Sequence, residues 1–466
     1  MKQDTIINQK IDEVIIENSI LSKYHDEFIK ASENLAPRIQ TDEESVHPGF
    51  KDYQYPVCSW PVLIDPIIND RLKKLSTRIP QLLARVPELY FKNDINKIAD
   101  FYYEGNRVLA EFGMICYNKK QPTSSRLDLT LTNDGFKILE ANMGPSLGGF
   151  QVQSFETLIR KLHPQLNGSA ATTGYTCENV QKAYFKYLSG EVMKHVSNLK
   201  GEINIFVGMD AISEQLINDT LDFFGDLWSD ALKERGIKGE AITGDISKLK
   251  VVGNNVYFGN KRIHGITLLN TDIQLVPAVY RAYIINNLYI TYPLNIRMIE
   301  DKRNLGILRQ LAEENTFDAE DNQLIIESIP YTQIVEDKTV TYKGASHSLI
   351  SLLKSRKDEF VVKDAGGAQG IDVFVGKFMS QEDWEKAIEY ALTHKNFITQ
   401  EFYDSINFTA PNRFNEWGLH KLIWGSFGFG DSYGGVWVRM SELKTDVGVI
   451  NSAKGAVEAI VFTVDS

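Results

Sequence analysis

The spacing of apolar positions along the chain changes several times and marks out successive blocks. Ile6, Ile7, Ile11, Val14, Ile15 and Leu21 predict an amphipathic helix within 3–35. From 41 to 66 the pattern breaks at His47-Pro-Gly-Phe50 and at Tyr53 to Pro61, which reads as a loop. Helical spacing returns at about 67–86 and 94–113. Two alternating runs around Asn133-Asp134-Gly135 then predict a β-hairpin over about 126–142, followed by a helix at about 177–198.

At 201 the texture changes. Glu202 to Gly208 reads as a buried strand, about 211–235 as a helix ending at Gly236, and Glu240 to Thr243 as a further strand. Val251 to Phe258 reads as a hairpin with an Asn-Asn turn, and strands are expected at Ile266 and at Thr291. Beyond 300, helices are expected at about 301–314, 346–356 and 380–394. Strands are expected at 359–363, 371–375 and 397–402, with a closing meander of 418–429, 436–440 and 456–464. No internal repeat or low-complexity stretch interrupts this order.

A chain of 466 residues is too long for one ordinary core, so two or three subdomains are expected. Its 43% hydrophobic and 24% charged content is that of a globular protein. A net charge of −11 argues against a nucleic-acid partner and favours small-molecule substrates. No apolar run is long enough for a membrane span, and the N-terminus lacks the apolar core of a signal peptide. Cys58, Cys116 and Cys177 are widely separated, as expected of reduced thiols in a cytoplasmic protein, and no Cys/His spacing suggests zinc.

Candidate chemistry starts at the hairpin. Arg126-Leu127-Asp128 and Glu140-Ala141-Asn142 lie on its two strands, so Asp128 is expected to face Glu140 and Asn142 across the sheet. Three oxygen ligands and an arginine are the parts needed to hold Mg²⁺ on a nucleoside triphosphate, although a hairpin with two carboxylates is commonly just a solvated edge. Met143 to Gly149 forms a turn-rich loop through which backbone could approach a ligand. Downstream, Lys363 ends a strand before Asp364-Ala-Gly-Gly-Ala-Gln-Gly370, where Gly366, Gly367 and Gly370 free backbone amides to converge on anionic oxygens. A strand follows this loop rather than a helix, and no Gly-Lys-Ser/Thr closes it, so it is neither a Walker loop nor a Rossmann fingerprint. Alone it is an ordinary turn. Its context is Lys302 at a helix start, about sixty residues earlier, and Gln400-Glu401-Phe402-Tyr403 at a strand end about thirty residues later.

Two lysines, a glycine flap and an acidic hinge, preceded rather than followed by acidic strands, resemble the circularly permuted ATP-grasp ligases. The likeness is to the synthetase domain of the glutathionylspermidine synthase family in particular, and it covers about 50–466. It extends to Asn260-Lys-Arg-Ile-His264 and Val279-Tyr-Arg281, which look like that family's pre-nucleotide domain. The resemblance implies a mixed α+β and α/β architecture, with a helical N-terminal region over 1–125 and the metal-binding hairpin and linking helices over 126–200. It further implies a small α/β pre-ATP-grasp domain over 201–298 and a nucleotide-binding region over 299–466.

By that resemblance Asp128, Glu140 and Asn142 hold Mg²⁺, and Arg126 stabilises the transferred phosphoryl group, with Arg439 a second candidate. Lys302, Lys363 and the flap glycines 366, 367 and 370 contact ATP. Glu401, with the backbone of Gln400, Phe402 and Tyr403, forms the adenine and ribose site. The implied activity is ATP-dependent joining of a carboxylate and an amine through an acyl phosphate, on small amino-acid, peptide or polyamine-like substrates. A peptide- or protein-modifying ligase, a small-molecule kinase and a non-enzymatic binding protein with a degenerate nucleotide site are the alternatives, the last disfavoured because every expected charged position is filled.

Two departures stand out. Asp364 occupies a position where the family commonly has proline, and the first 125 residues are too short and helical for the cysteine amidase domain of bifunctional members. Cys58 near His47 reads as a structural thiol. The loop at 144–151 and the segment at 41–60 are expected to border the acceptor pocket. Arg281 is either a substrate-carboxylate partner or part of a structural ion pair.

Overall fold

The computed structural model describes the chain except residues 1–17, 26–28, 30–36, 52, 169–173, 209–213, 269–276, 368–369, 395, 444–447 and 466. The helix expected over 3–35 lies mostly outside the described residues. Leu21, which falls inside them, is fully buried.

Of the five sheets among the described residues, three organise the fold. The largest has eight strands. Its spine runs Val62–Ile64, Val457–Asp465, Ser432–Glu442, Trp417–Phe429, Ser124–Thr132, Gly135–Met143. The hairpin therefore docks on a strand nearly three hundred residues later in the chain, and the C-terminal meander forms the other half of the same sheet. The hairpin turn is fixed locally: Gly135 sits at φ 93 with open space where a Cβ would be, and the Thr132 hydroxyl accepts from the Asp134 amide at 3.1 Å.

The helix Pro66–Leu83 covers one face of this sheet with a stripe of Leu72, Leu75, Ile79 and Leu82. Its Ser76 hydroxyl meets that of Ser426 at 2.6 Å, and Gly428 lets the helix backbone close in, since a Cβ there would lie 2.0 Å from the Ser76 carbonyl oxygen. Leu127, Leu422, Trp424 and Val438 fill this covered face.

The second sheet is parallel, in the order Tyr289–Ile290, Gly265–Leu268, Ile205–Gly208, Ala241–Thr243. Ile205 and Val207 pack under the helices Val180–His195 and Glu214–Lys233, whereas Phe206, Ile266 and Leu268 pack under Pro277–Ile284. Helices on both faces are what a parallel sheet requires. The third sheet is antiparallel: Thr332–Ile334, Phe397–Glu401, Phe360–Asp364, Val373–Val375. Phe360, Val362 and Phe397 pack against the helices Leu349–Ser355 and Gln381–His394.

Several boundaries differ from the sequence expectation for local reasons. The helix expected over 94–113 is two, Ile95–Tyr102 and Arg107–Tyr117, because Glu104 and Gly105 take positive φ and Asn106 caps the second. The expected Asn-Asn turn is Gly253-Asn254, with Gly253 at φ 61. The strand expected at Thr291 is Tyr289–Ile290, and the loop expected over 41–66 ends in the edge strand Val62–Ile64. No helix among the described residues is long and apolar enough to cross a membrane.

Candidate active site

Directly paired residues of an antiparallel sheet point to the same side. Register therefore gathers the face opposite the Pro66–Leu83 helix. Arg126 pairs with Asn142 and Phe427, and Asp128 with Glu140 and Gly425. Trp437 pairs with Gly425, and Arg439 with Glu458. Two short motifs far apart in the chain thus become one polar patch.

Asp128 is its centre. Arg126 grips the carboxylate with Nε on Oδ1 at 2.7 Å and Nη2 on Oδ2 at 3.1 Å, and Arg439 Nη2 reaches Oδ2 at 2.6 Å. Burial pushes the Asp128 carboxyl up, but Arg126 and then Arg439 more than offset this and hold it at about 2. Arg126 also donates Nη1 to the Gly148 carbonyl at 2.7 Å, which ties the 144–149 loop to the patch.

A β-bulge between Asp128 and Leu129 leaves Leu139 without a partner on the adjacent strand. Its carbonyl accepts from Lys363 Nζ at 2.7 Å, and the same ammonium donates to Gln400 Oε1 at 2.9 Å. The bulge thus joins the large sheet to the third sheet, and the Gln400 side chain holds Lys363 in place. Burial pushes the Lys363 ammonium down to about 8. Lys302, at the start of the helix Arg303–Glu313, donates to the Gly367 carbonyl and stands 3.7 Å from Glu140. Asp364 accepts from the Gly366 amide at 3.2 Å and from Asn396 Nδ2 at 3.0 Å, so the residue found where proline was expected orders the start of the flap.

Glu401 lies on the outer side of this group. Its carboxylate accepts from the Tyr342 hydroxyl at 2.8 Å and the Tyr403 hydroxyl at 3.2 Å, with Lys343 Nζ at 3.2 Å. The Phe402 amide donates to the Glu359 carbonyl at 2.8 Å, and the Phe402 ring meets Phe378 edge-on.

Arg126, Asp128, Glu140, Asn142 and Arg439 therefore share one face, with Lys302 and Lys363 reaching it from the third sheet and its neighbouring helix. Glu401 and Tyr403 form a separate cluster with Tyr342 and Lys343. Gly370 adjoins Lys454, whose Nζ donates to its carbonyl at 2.8 Å. Arg281 is exposed and makes no ion pair among the described residues. Cys58 is buried, with burial pushing its thiol up to about 11, and His47 instead packs edge-on to Phe50 and tilted against Phe223.

Two residues on this face carry no local sequence signal. Glu458 is 1% exposed and pairs across from Arg439. Its carboxylate accepts from the Tyr53 hydroxyl at 2.8 Å and the Ser452 hydroxyl at 2.6 Å, and burial pushes it up. Trp437 lies over two glycines: a Cβ on Gly149 would be 1.9 Å, and one on Gly425 2.3 Å, from its indole. Only the sheet register brings these residues beside Arg439.

Three buried nitrogens on this face, Asn142 Nδ2, Arg439 Nε and Trp437 Nε1, have no hydrogen-bond partner among the described residues. Buried donors are rarely left so, and such a group marks a place where a ligand completes the set. No three His, Cys, Asp or Glu side chains among the described residues gather into a cation cage. Two carboxylates and an amide are too few to hold Mg²⁺ alone, but they suit an ion that keeps waters and takes its remaining oxygens from substrate phosphates.

No protein-family model matches this chain, and no curated protein matches it. Among solved structures it is similar to a glutathione synthetase-like effector from Globodera pallida, in its apo form. The TM-score is 0.52 and the identity 13%, over 88% of this chain and 90% of that one. At that identity the likeness is one of fold alone.

Proposed function

We propose that the chain is an ATP-dependent carboxylate–amine ligase with a circularly permuted ATP-grasp arrangement. It would join a small acid to an amine through an acyl phosphate, with release of ADP and phosphate. The observation that carries this reading is Asp128 clamped by Arg126 and Arg439 on a face shared with Glu140 and Asn142, while Lys302 and Lys363 approach that face from the adjoining sheet and helix.

A carboxylate is a poor electrophile, and phosphorylation supplies a leaving group that an amine can displace. Such transfer needs positioning and charge neutralisation more than covalent help. Arg126 and Arg439, oriented by Asp128, place positive charge at fixed positions in a water-poor site. Lys302 and Lys363 add two cations on the nucleotide side. Glu140, Asn142 and Asp128 would hold Mg²⁺, which when bound neutralises charge on the triphosphate. The Lys343 and Tyr342 side chains that now cover the Glu401 carboxylate occupy donors' places that ribose hydroxyls would take in the proposed adenosine site.

The test is ADP release by the purified chain with Mg·ATP, screening carboxylates against amines, with mass spectrometry of the product. Release that requires both partners and yields an amide supports the ligase. Release with a stable phosphorylated product and no amine requirement supports a kinase. No release with any pair overturns both readings.

A further inference from the structure

At one end of the large sheet, the strands Ser432–Glu442 and Val457–Asp465 border a cavity of about 230 Å³. Met440 and Val457 line it and pair with each other, and Met440 also pairs with Leu422. Leu422 is on the side covered by the Pro66–Leu83 helix. The cavity therefore lies on the opposite face from Arg439 and Glu458, one residue away along each strand. Its other walls include Arg38 and Cys58 from the N-terminal segment, and Asn412 and Arg413 from the turn after the strand Asn407–Pro411.

Two guanidiniums set the charge of this space. A backbone bridge places Arg38 opposite Cys58, and its charge opposes the rise that burial imposes on the Cys58 thiol. Asn412 Oδ1 accepts from the Phe414 and Glu416 amides at 2.9 and 3.1 Å, which fixes the turn carrying Arg413. Neither guanidinium has an ion pair among the described residues. The other titratable walls do not cancel them. Burial pushes His420 down, so it is neutral at pH 7, with Nδ1 2.8 Å from the Gly418 carbonyl oxygen. Glu442 brings one carboxylate, which accepts from the Arg413 amide at 3.4 Å. The walls thus keep a net positive charge in a chain whose net charge is −11.

Unpaired arginines are suited to carboxylates and phosphates, which the planar fork holds through two hydrogen bonds at once. Size and lining narrow the choice. A cavity of about 150 Å³ admits benzene, so one of about 230 Å³ has room for about nine non-hydrogen atoms. Two separate forks, with the aliphatic surfaces of Pro37, Pro411, Met440 and Val457 in the same cavity, match two carboxylates joined by a short hydrocarbon chain better than one compact phosphate.

We infer that this cavity binds a dicarboxylate of about four or five carbons, such as succinate or glutarate, with one carboxylate on Arg38, the other on Arg413 and the methylenes against the apolar walls. The site is separate from the proposed nucleotide face and does not depend on the ligase reading.

Calorimetry on the full chain without nucleotide tests it, comparing succinate and glutarate with butyrate, inorganic phosphate and putrescine. Arg38→Gln and Arg413→Gln each remove one fork. Arg38→Lys and Arg413→Lys keep the charge without the fork, and stand in where a Gln variant fails to fold. Arg281→Gln is the control for an exposed arginine elsewhere. The expected result is one saturable diacid site per chain, at least about tenfold tighter for a diacid than for butyrate, with no binding of putrescine. Either Gln variant should weaken it about tenfold or more, either Lys variant by less, and Arg281→Gln not at all. No saturable diacid binding, butyrate or putrescine as tight as the diacids, or phosphate tighter than both diacids overturns the assignment. So does an affinity indifferent to Arg38 and Arg413, as binding at Arg126 and Arg439 would be.

Discussion

Arg439 and Asp128 are separated by 311 positions in sequence, and their side chains meet at 2.6 Å. The contact joins the C-terminal meander to the early hairpin and completes a two-arginine clamp on one buried carboxylate. Replacing Asp128 with Asn leaves two guanidiniums facing each other in a buried site, where breaking one member of an ion pair costs roughly 3–5 kcal/mol. Arg439→Lys keeps the charge but loses the planar fork. The expected outcome is a large loss of stability on urea unfolding for Asp128→Asn. Arg439→Lys should instead stay close to wild-type stability with ADP release down by about 10²–10³. Wild-type behaviour of Asp128→Asn in both measurements would rule out the clamp.

The same carboxylate sets a pH signature. Its folded pKa of about 2 lies below the ordinary 3.8, so its stabilisation is fully present above pH 3.8 and is lost as pH falls through about 2. The contribution is worth roughly 2 kcal/mol. Glu458, raised by burial, acts with the opposite sign: its buried charge is a penalty that falling pH relieves. Comparing wild type with Asp128→Asn isolates the first effect. The stability gap between them should narrow as pH is lowered from about 4 to about 2. A gap that stays constant over that window would show that Asp128 is not held in its charged form.

Lys363 supplies a second signature at the alkaline end. Burial depresses its ammonium to about 8, Lys302 adds to the depression, and Glu140 and Asp128 oppose it. In the proposed nucleotide role it binds phosphate only when charged. Affinity for Mg·ADP should therefore fall as pH rises through about 8, with proton uptake on binding, and Lys363→Met should bind weakly with no such dependence. The stability sign is the reverse. The buried charge is a penalty at neutral pH that disappears between about 8 and 10.5, so Lys363→Met should be at least as stable as wild type at neutral pH. Calorimetry in buffers of different ionisation enthalpy measures the proton uptake.

The parts of this arrangement that were legible in the sequence are those with a local cause. The Asn133-Asp134-Gly135 turn fixes the hairpin and so brings the strands of Asp128 and Glu140 together, although the turn register alone would set Asp128 against Leu139 and the bulge is what moves it opposite Glu140. Lys363, the flap and Glu401 were legible because a strand, a glycine run and a second strand follow one another within forty residues. Glu458, Tyr53 and Trp437 were not, because only pairing between strands of the C-terminal meander, and the loop laid over it, bring them to Arg439. The Leu139 bulge left only the apolar pair Ile138-Leu139 as its trace, a one-residue shift in the phase of the alternation that does not by itself specify a bulge. The resemblance implies an adenine and ribose role for the backbone from Gln400 to Tyr403, whereas the part of the Gln400 side-chain amide in holding Lys363 and Thr332 has no sequence signal.

Gly149 offers a test of how far the indole of Trp437 shapes the patch. Its φ of 97 is strained for any side chain, and a Cβ would lie 1.9 Å from the Trp437 ring, so the ring must move if Ala is introduced. The Arg439 guanidinium lies 5.4 Å from the centre of that ring, and the neighbouring Gly148 carbonyl binds Arg126, so displacement should disturb both members of the clamp. Gly236 is a suitable control, at φ 67 with nothing within 4 Å of a Cβ. Gly236→Ala should lose only the conformational cost, about 1–2 kcal/mol. Gly149→Ala should lose that and a further 1–3 kcal/mol or so of overpacking, with altered tryptophan emission and a fall in ADP release. Trp437→Leu in the Gly149→Ala background removes the clash, so a double-mutant cycle should return a favourable coupling between the two substitutions in urea unfolding. Additive losses would mean that Gly149 is required for its backbone conformation alone.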